Sequence, residues 1–400
     1  MELLSPAGNI EKLTYAYEYG ADAAYIGLNR FSLRAKADNF APEDAARTAS
    51  VKGDKKLYGA LNIYFHPADL KHIEGSLDLL RPFPFDAFIV SDIGLIPLLR
   101  REFPEVRLHL STQANCVNAE AAKLYRDMGF SRIILGRELA LTEIEEIRKG
   151  VGDGLELECF VHGAMCLAYS GRCFLSAYMA GRSGNKGDCA HACRWNYRPL
   201  VIEEMERPGE YYPLIEAEGF TTLLSSKDLC MIDHLREMRD AGIDSVKIEG
   251  RMKSIYYTAV VTRAYRKMID AEVFGLDVPG LEAYRRELFS VSHREYSTGF
   301  YFGREEISVP TESSYHREYI LLGSLGKRAK DGSFSLDVRN SIRTGESIEY
   351  LGPDVVGIED SSFRLYDAEG NRVEAAHHGK PFFLETKAPV QPGYILRRRM

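Results

Sequence analysis

Four of the seven cysteines in this 400-residue chain, Cys166, Cys173, Cys189 and Cys193, lie in one stretch, with six, fifteen and three residues between successive members. Thiolates are soft ligands, and several held together repel one another unless a cation or an iron–sulfur cluster neutralises them. Zinc sites favour two short C-x2–4-C knuckles, and only Cys189 and Cys193 fit that spacing. Iron–sulfur proteins accept more varied spacing, so a [4Fe–4S] cluster is the preferred reading. Zinc and unligated thiols are the alternatives, with Cys230 a possible substitute for Cys189 or Cys193. Cys116 and Cys159 fall in or beside apolar strand patterns and read as core thiols. His162 and His191 flank the quartet as ligands, proton carriers or hydrogen-bonded supports. Trp195, two residues after Cys193, reads as a shield against water or as a platform for a base.

A second set of chemical groups sits where apolar runs turn polar. Glu158 and His162 follow one such run. Lys247, Glu249 and Arg251 end another, and the spacing of two puts Lys247 and Glu249 on one face. Glu158, His162, Lys247 and Glu249 are the candidate catalytic groups. Arg30, Arg34, Arg137, Lys227 and Arg251 are the candidate substrate-binding cations. Together they suit a small anionic ligand or a phosphate, whereas a ring of ion pairs is the plainer reading for any one of them.

These groups need a scaffold, and the first 275 or so residues supply a rhythm of apolar strand and amphipathic helix. Strands are predicted at Glu2–Leu4, Ala24–Leu28, Lys56–Asn62, Ala87–Val90, Arg107–Leu110, Arg132–Leu135, Leu155–Phe160 and Ser245–Ile248. Helices are predicted at Ile10–Tyr19, Leu70–Leu80, Leu95–Phe103, Ala119–Met128, Leu141–Lys149, Met231–Ala241 and Ile255–Ala271. Asn9 and Asp69 read as N-caps, and Gly20, Gly129, Gly150 and Gly242 as left-handed helix ends. The pattern predicts an α/β fold, a (β/α)8 TIM-like barrel with residues 1–275, interrupted at about 161–244 by the cysteine-rich insertion and a small sheet. A doubly wound sheet is the rival, weakened because no G-x-G-x-x-G follows the first strand. Residues 276–314 read as a linker. Residues 315–400, with short alternating strands and turns such as Asp331-Gly332, read as a small all-β barrel-like domain.

At 45% hydrophobic and 27% charged residues the chain is globular, and no apolar run reaches the length of a membrane span. No secretory signal is visible, so a reducing cytoplasm is expected. The net charge of −7 argues against a uniformly basic nucleic-acid binder. Local patches at Arg182, Lys186 and Arg194, or at Arg397–Arg399, leave RNA open; a solvated tail is the plainer reading of the second. Neither H-E-x-x-H nor G-x-S-x-G is present, which leaves a protease only a cysteine nucleophile paired with His162.

The run Glu158-Cys159-Phe160-Val161-His162-Gly163-Ala164-Met165-Cys166, followed by Gly171-Arg172-Cys173-Phe174-Leu175-Ser176, resembles the signature of peptidase family U32, the collagenase-like peptidases. Leu4-Ser5-Pro6-Ala7-Gly8, Ser226-Lys227-Asp228-Leu229, Lys247-Ile248-Glu249-Gly250-Arg251 and Ser292-His293-Arg294 extend the resemblance over essentially the whole chain. It implies an iron–sulfur protein of oxygen-independent hydroxylation, in some members with prephenate as co-substrate and oxygen source. Implied substrates are the wobble uridine of tRNA, a cytidine of ribosomal RNA, or ubiquinone precursors, the last with paired protein subunits. The chain looks most like the tRNA branch, whose cluster-ligand positions match Cys166, Cys173, Cys189 and Cys193. In the ubiquinone branch the fourth ligand falls near Ser226–Cys230. The implied partner is a tRNA anticodon loop, with the β domain holding the rest of the tRNA.

Overall fold

The computed structural model describes every residue except 29–30, 33–38, 167, 196–201, 204–210, 213–214, 218–219, 223–225 and 304–315. Eight runs, Glu2–Ala7, Ala23–Gly27, Lys56–Leu61, Ala87–Val90, Arg107–Leu110, Arg132–Ile134, Glu156–Ala164 and Ser245–Ile248, pair in that order. All are parallel, and the eighth closes on both the first and the seventh. Parallel strands covered on both faces are largely apolar, as Ala23–Gly27 and Ala87–Val90 are, and charges that do enter, such as Arg132, Glu158 and Lys247, are buried in pairs. The result is the closed (β/α)8 barrel the sequence predicts.

Helices cover the outside. Ile10–Glu18 starts at Asn9, whose side chain accepts from the Lys12 N–H at 2.9 Å, as expected of that cap. Asp69 is not a cap. The helix there begins earlier, at Pro67, and Asp69 reaches back to accept from the His66 N–H at 2.9 Å. Gly20, Gly129 and Gly242 take positive φ, but Gly150 stays inside Leu141–Val151, and Gly152 supplies the turn at φ 66°. A helix at Ala45–Lys52 escaped the sequence reading, and the one expected over Met231–Ala241 spans only Leu235–Asp240.

The insertion is tied to the barrel by a short return strand. Asp228–Cys230 runs antiparallel to the end of the seventh strand, placing Leu229 opposite Gly163 and Cys230 opposite His162. Within the insertion Ile202–Glu203 pairs with Tyr211–Tyr212, and Ile215–Ala217 with Phe220–Thr222. The apolar runs expected at Tyr197–Ile202 and Thr221–Leu224 otherwise lie outside the described residues. Residues 276–314 are more than a linker. They hold the helix Leu281–Glu287 and the strand Tyr296–Ser297, which pairs with the return strand. The buried pair of Arg294 with Asp228, at 2.6 Å, fixes that junction, and it outweighs the cost of burying the carboxylate.

From Tyr319 an antiparallel eight-stranded sheet forms the second domain, around its own core of Leu322, Tyr350, Leu365 and Leu396. The helix Ile255–Met268 is buried nearly all round because it lies between the barrel and this domain. Tyr19 donates to the Leu351 carbonyl at 3.0 Å, and Arg263 to the Val355 carbonyl at 2.6 Å. Arg397 is no solvated tail: it is buried, pairs with Glu287 at 2.6 Å and Glu349 at 2.7 Å, and stacks on Tyr319. Among the described residues no helix is long and apolar enough to cross a membrane.

Candidate active site at the barrel mouth

The C-terminal ends of the barrel strands open into a cavity of about 350 Å³, with the cysteine segment as its roof. Tyr25, Asn62, Gln113, Arg137, Phe160, Lys247, Glu249 and Arg251 line it from the barrel. Cys166, Cys173, Cys189 and Cys193 all line it from above, with Arg172 and His191. The cysteine quartet and the strand-end charges, far apart in sequence, therefore face one space. Active sites of this fold sit at this end because the strand-to-helix loops converge there.

The roof is fastened at many points. Arg172 donates to the Gln113 carbonyl at 3.0 Å, and Cys173 N–H to Asn185 Oδ1 at 3.0 Å. Lys186 pairs with Asp69 at 2.8 Å, and Tyr64 N–H donates to the Asn185 carbonyl at 3.2 Å. The Ser170 hydroxyl donates to Asn115 Oδ1 at 2.8 Å. The His191 N–H points at Cys189 Sγ at 3.4 Å, which favours electron-rich sulfur. Among the described residues the non-glycines with positive φ are Asn39, Asn115, Ser170 and His191. Ser170 and His191 line the cavity, Asn115 supports Ser170, and Asn39 stands beside Arg251. Backbone strain of this kind collects where surrounding contacts enforce a site.

The cations are held by design of the backbone. Arg251 is buried and donates to Ser32 Oγ at 3.1 Å. It passes over Gly27, where a Cβ would lie 1.9 Å from its Nη1 and 2.5 Å from Ser32 Oγ, so any side chain there would displace the guanidinium. Arg137 donates to the Ala164 carbonyl at 2.9 Å and stacks on Phe160, its guanidinium 4.5 Å from the ring centre. Lys247 reaches Glu158 at 3.1 Å and lies 4.4 Å from the centre of the Tyr25 ring. Burial pulls its pKa below that of an ordinary lysine, although Glu158 opposes the shift. Tyr25 donates to Glu249 at 3.3 Å.

Several sequence candidates stand elsewhere. Glu158 does not line the cavity: it is fully buried beneath it, between Lys247 and Arg132. A strand position alone does not reveal depth in the barrel. His162 is also outside. The register slips between Lys247 and Ile248, which face Phe160 and His162, so Val161 is an extra residue. This bulge turns His162 away from the interior, to Tyr257, Tyr265 and Tyr296. Cys230, beside it, is partly buried with its thiol pushed up to about 11 and is no part of the cavity wall. Lys227 pairs with Glu295 at 3.7 Å, off the cavity. Arg30 and Arg34 lie outside the described residues. Trp195 donates to the Ala190 carbonyl at 3.0 Å on the outer side of the roof. Tyr25 and Arg172 carried no separate signal in the sequence; Arg172, inside the cysteine run, was the more findable.

Burial pushes the His162 pKa down to about 3 from 6.5. Between those values the unfolded chain binds a proton that the native imidazole refuses. Stability therefore falls as pH drops through this window, by up to about 1.4 kcal/mol per unit. Denaturant unfolding of His162→Gln should show a shallower acid decline between pH 6.5 and 3 than the parent; equal declines would contradict the assignment.

A closed (β/α)8 barrel whose mouth carries a cysteine-roofed, cation-lined cavity is the class of protein that fold and site define. The model of peptidase family U32 matches residues 8–310, and that of the family's C-terminal domain matches residues 317–397. The chain belongs to peptidase family U32. It is 38% identical over 398 residues to tRNA hydroxylation protein P of Escherichia coli, covering 88% of this chain and 86% of that one. It is 43% identical to an uncharacterized protease of Methanocaldococcus jannaschii, covering 99% and 98%. It is 33% identical to the 23S rRNA 5-hydroxycytidine synthase of Escherichia coli, covering 88% of this chain and 52% of that one.

Proposed function

We propose that this chain is an RNA-modifying enzyme that hydroxylates the wobble uridine of tRNA to 5-hydroxyuridine, with an iron–sulfur cluster and prephenate as co-substrate. The observation that carries the reading is the meeting of Cys166, Cys173, Cys189 and Cys193 with Arg137, Lys247 and Arg251 around one cavity. The hydroxylation activities printed in the names of its RNA-directed relatives support the reaction class.

The donor set fits a [4Fe–4S] cluster. Each thiolate of such a cluster takes a different iron, so the ligands ring a space rather than share one point. Four thiol side chains lining one cavity offer such a ring of soft donors. Cys166, Cys173, Cys189 and Cys193 would hold the cluster, which supplies when bound the one-electron chemistry that side chains lack.

The barrel residues do the rest. Prephenate is a dicarboxylate, and guanidiniums grip carboxylates in pairs of hydrogen bonds while an ammonium acts as a point charge. Arg137, Arg251 and Lys247 supply both kinds at fixed positions. Phe160 and Tyr25 give the cavity dry walls that strengthen those contacts. An anticodon-loop base, already unpaired, is splayed into the mouth with little stacking lost. The cysteine protease reading is weakened because His162, its proposed base, faces away from the cavity.

Nucleoside mass spectrometry of tRNA from a strain lacking this chain and any second hydroxylase tests the reading. The 5-hydroxyuridine derivatives should vanish, return with the parent chain, and stay absent with Cys173→Ser. An unchanged nucleoside profile in the deletion strain would contradict the reading.

A further inference from the structure

Two rings on the roof of the cavity face outward. Phe174 and Tyr178 are 76% and 77% exposed, above every other large hydrophobic residue among those described. Phe174 caps the short helix Leu175–Ala180, and the Tyr178 N–H donates to its carbonyl at 2.9 Å, so the two rings stand one turn apart on one face. Tyr169 and Trp195 of the same segment are exposed as well. Phe174 also lines the cavity, which makes the patch continuous with the mouth.

The helix that carries the rings is fixed. Ser176 Oγ donates to the Arg182 carbonyl at 2.6 Å and accepts from the Ala190 N–H at 2.8 Å. Rings held in place lose little freedom when they meet a partner. An exposed aromatic patch of this kind marks a contact surface, and charge indicates the contact. Residues 166–195 hold Arg172, Arg182, Lys186 and Arg194 against the one carboxylate of Asp188, and with Asp69, which pairs with Lys186, the segment still carries a net of +2 in a chain whose net charge is −7. Rings interleaved with cations suit single-stranded nucleic acid: rings stack on bases and cations meet phosphates.

We propose that Phe174 and Tyr178 form a stacking platform for the unpaired bases beside the modified nucleotide, holding an RNA loop over the cavity. This rests on the reading of the chain as an RNA-modifying enzyme and adds where the loop is gripped. The test is fluorescence anisotropy of a labelled anticodon stem–loop with the full-length, anaerobically purified protein. Phe174→Ala with Tyr178→Ala should weaken binding roughly thirtyfold or more. The salt dependence should be unchanged, because no phosphate contact is lost. Phe174→Tyr with Tyr178→Phe should bind like the parent, as should Phe274→Ala at a remote exposed ring. Matching thermal melts confirm that the exposed truncations leave the fold intact.

A double alanine variant that binds the stem–loop as tightly as a parent that does bind it would overturn the platform alone. Sedimentation showing that the parent self-associates and the double variant does not would overturn it too, in favour of an interface between copies. A parent that binds no stem–loop would overturn the RNA-modifying reading and the platform with it.

Discussion

Replacing Lys247 by methionine is expected to cut kcat/KM for prephenate by roughly 10- to 150-fold, the worth of a hydrogen bond to a charged group. Lys247 lines the cavity but is otherwise buried, and its ammonium is fixed at 3.1 Å from Glu158, a positioned charge in the cavity wall. Methionine keeps the stem as far as Cε and loses the ammonium. Glu158 is not orphaned by the change, because Arg132 Nη1 remains 3.0 Å away. Stability should therefore fall far less than catalysis. The pH profile gives an independent check. A depressed lysine pKa means that the ligand-binding charge is lost, as pH rises, earlier than for an exposed lysine. Lys247→Arg, which stays charged, should move the alkaline limb upward. An unchanged limb in this variant, or full prephenate kinetics in Lys247→Met, would remove Lys247 from the binding site.

The largest loss of stability is expected from Arg132→Met. Arg132 is buried in the barrel floor and pairs with Glu2 at 2.6 Å, Glu156 at 2.8 Å and Glu158 at 3.0 Å. Burial opposes ionisation of Glu2, yet Arg132 and Lys56 hold its carboxyl down at about 2. Removing the arginine leaves Glu2 and the buried Glu158 with one lysine each, Lys56 and Lys247, and with an uncompensated negative charge, at a cost of about 3–5 kcal/mol. That corresponds to a fall in Tm on the order of 10 °C. Combining Arg132→Met with Glu2→Gln should cost less than the two changes added, because the groups are coupled. A Tm within a degree or two of the parent would show that the network carries little.

The barrel was legible because parallel strands covered on both faces are largely apolar runs, and runs such as Ala87–Val90 are hard to read otherwise. The strand-end charges were legible for the complementary reason: Lys247, Glu249 and Arg251 interrupt such a run, and all three line the cavity. Depth and facing were not. Glu158 obeys the same strand periodicity as Phe160 yet lies under the floor, and the extra residue Val161 turned His162 outward against that periodicity. The three-residue strand Asp228–Cys230 is specified by its partners rather than its own sequence, so no strand was read there. Arg397 shows the same limit: a terminal cluster of arginines gives no sign of the two carboxylates, Glu287 and Glu349, that the fold brings to it.

Iron and acid-labile sulfide, assayed on protein purified and kept without oxygen, test the central claim most directly. About four of each per chain are expected, both lost in Cys173→Ser. Protein holding neither, or one zinc per chain in their place, would contradict it.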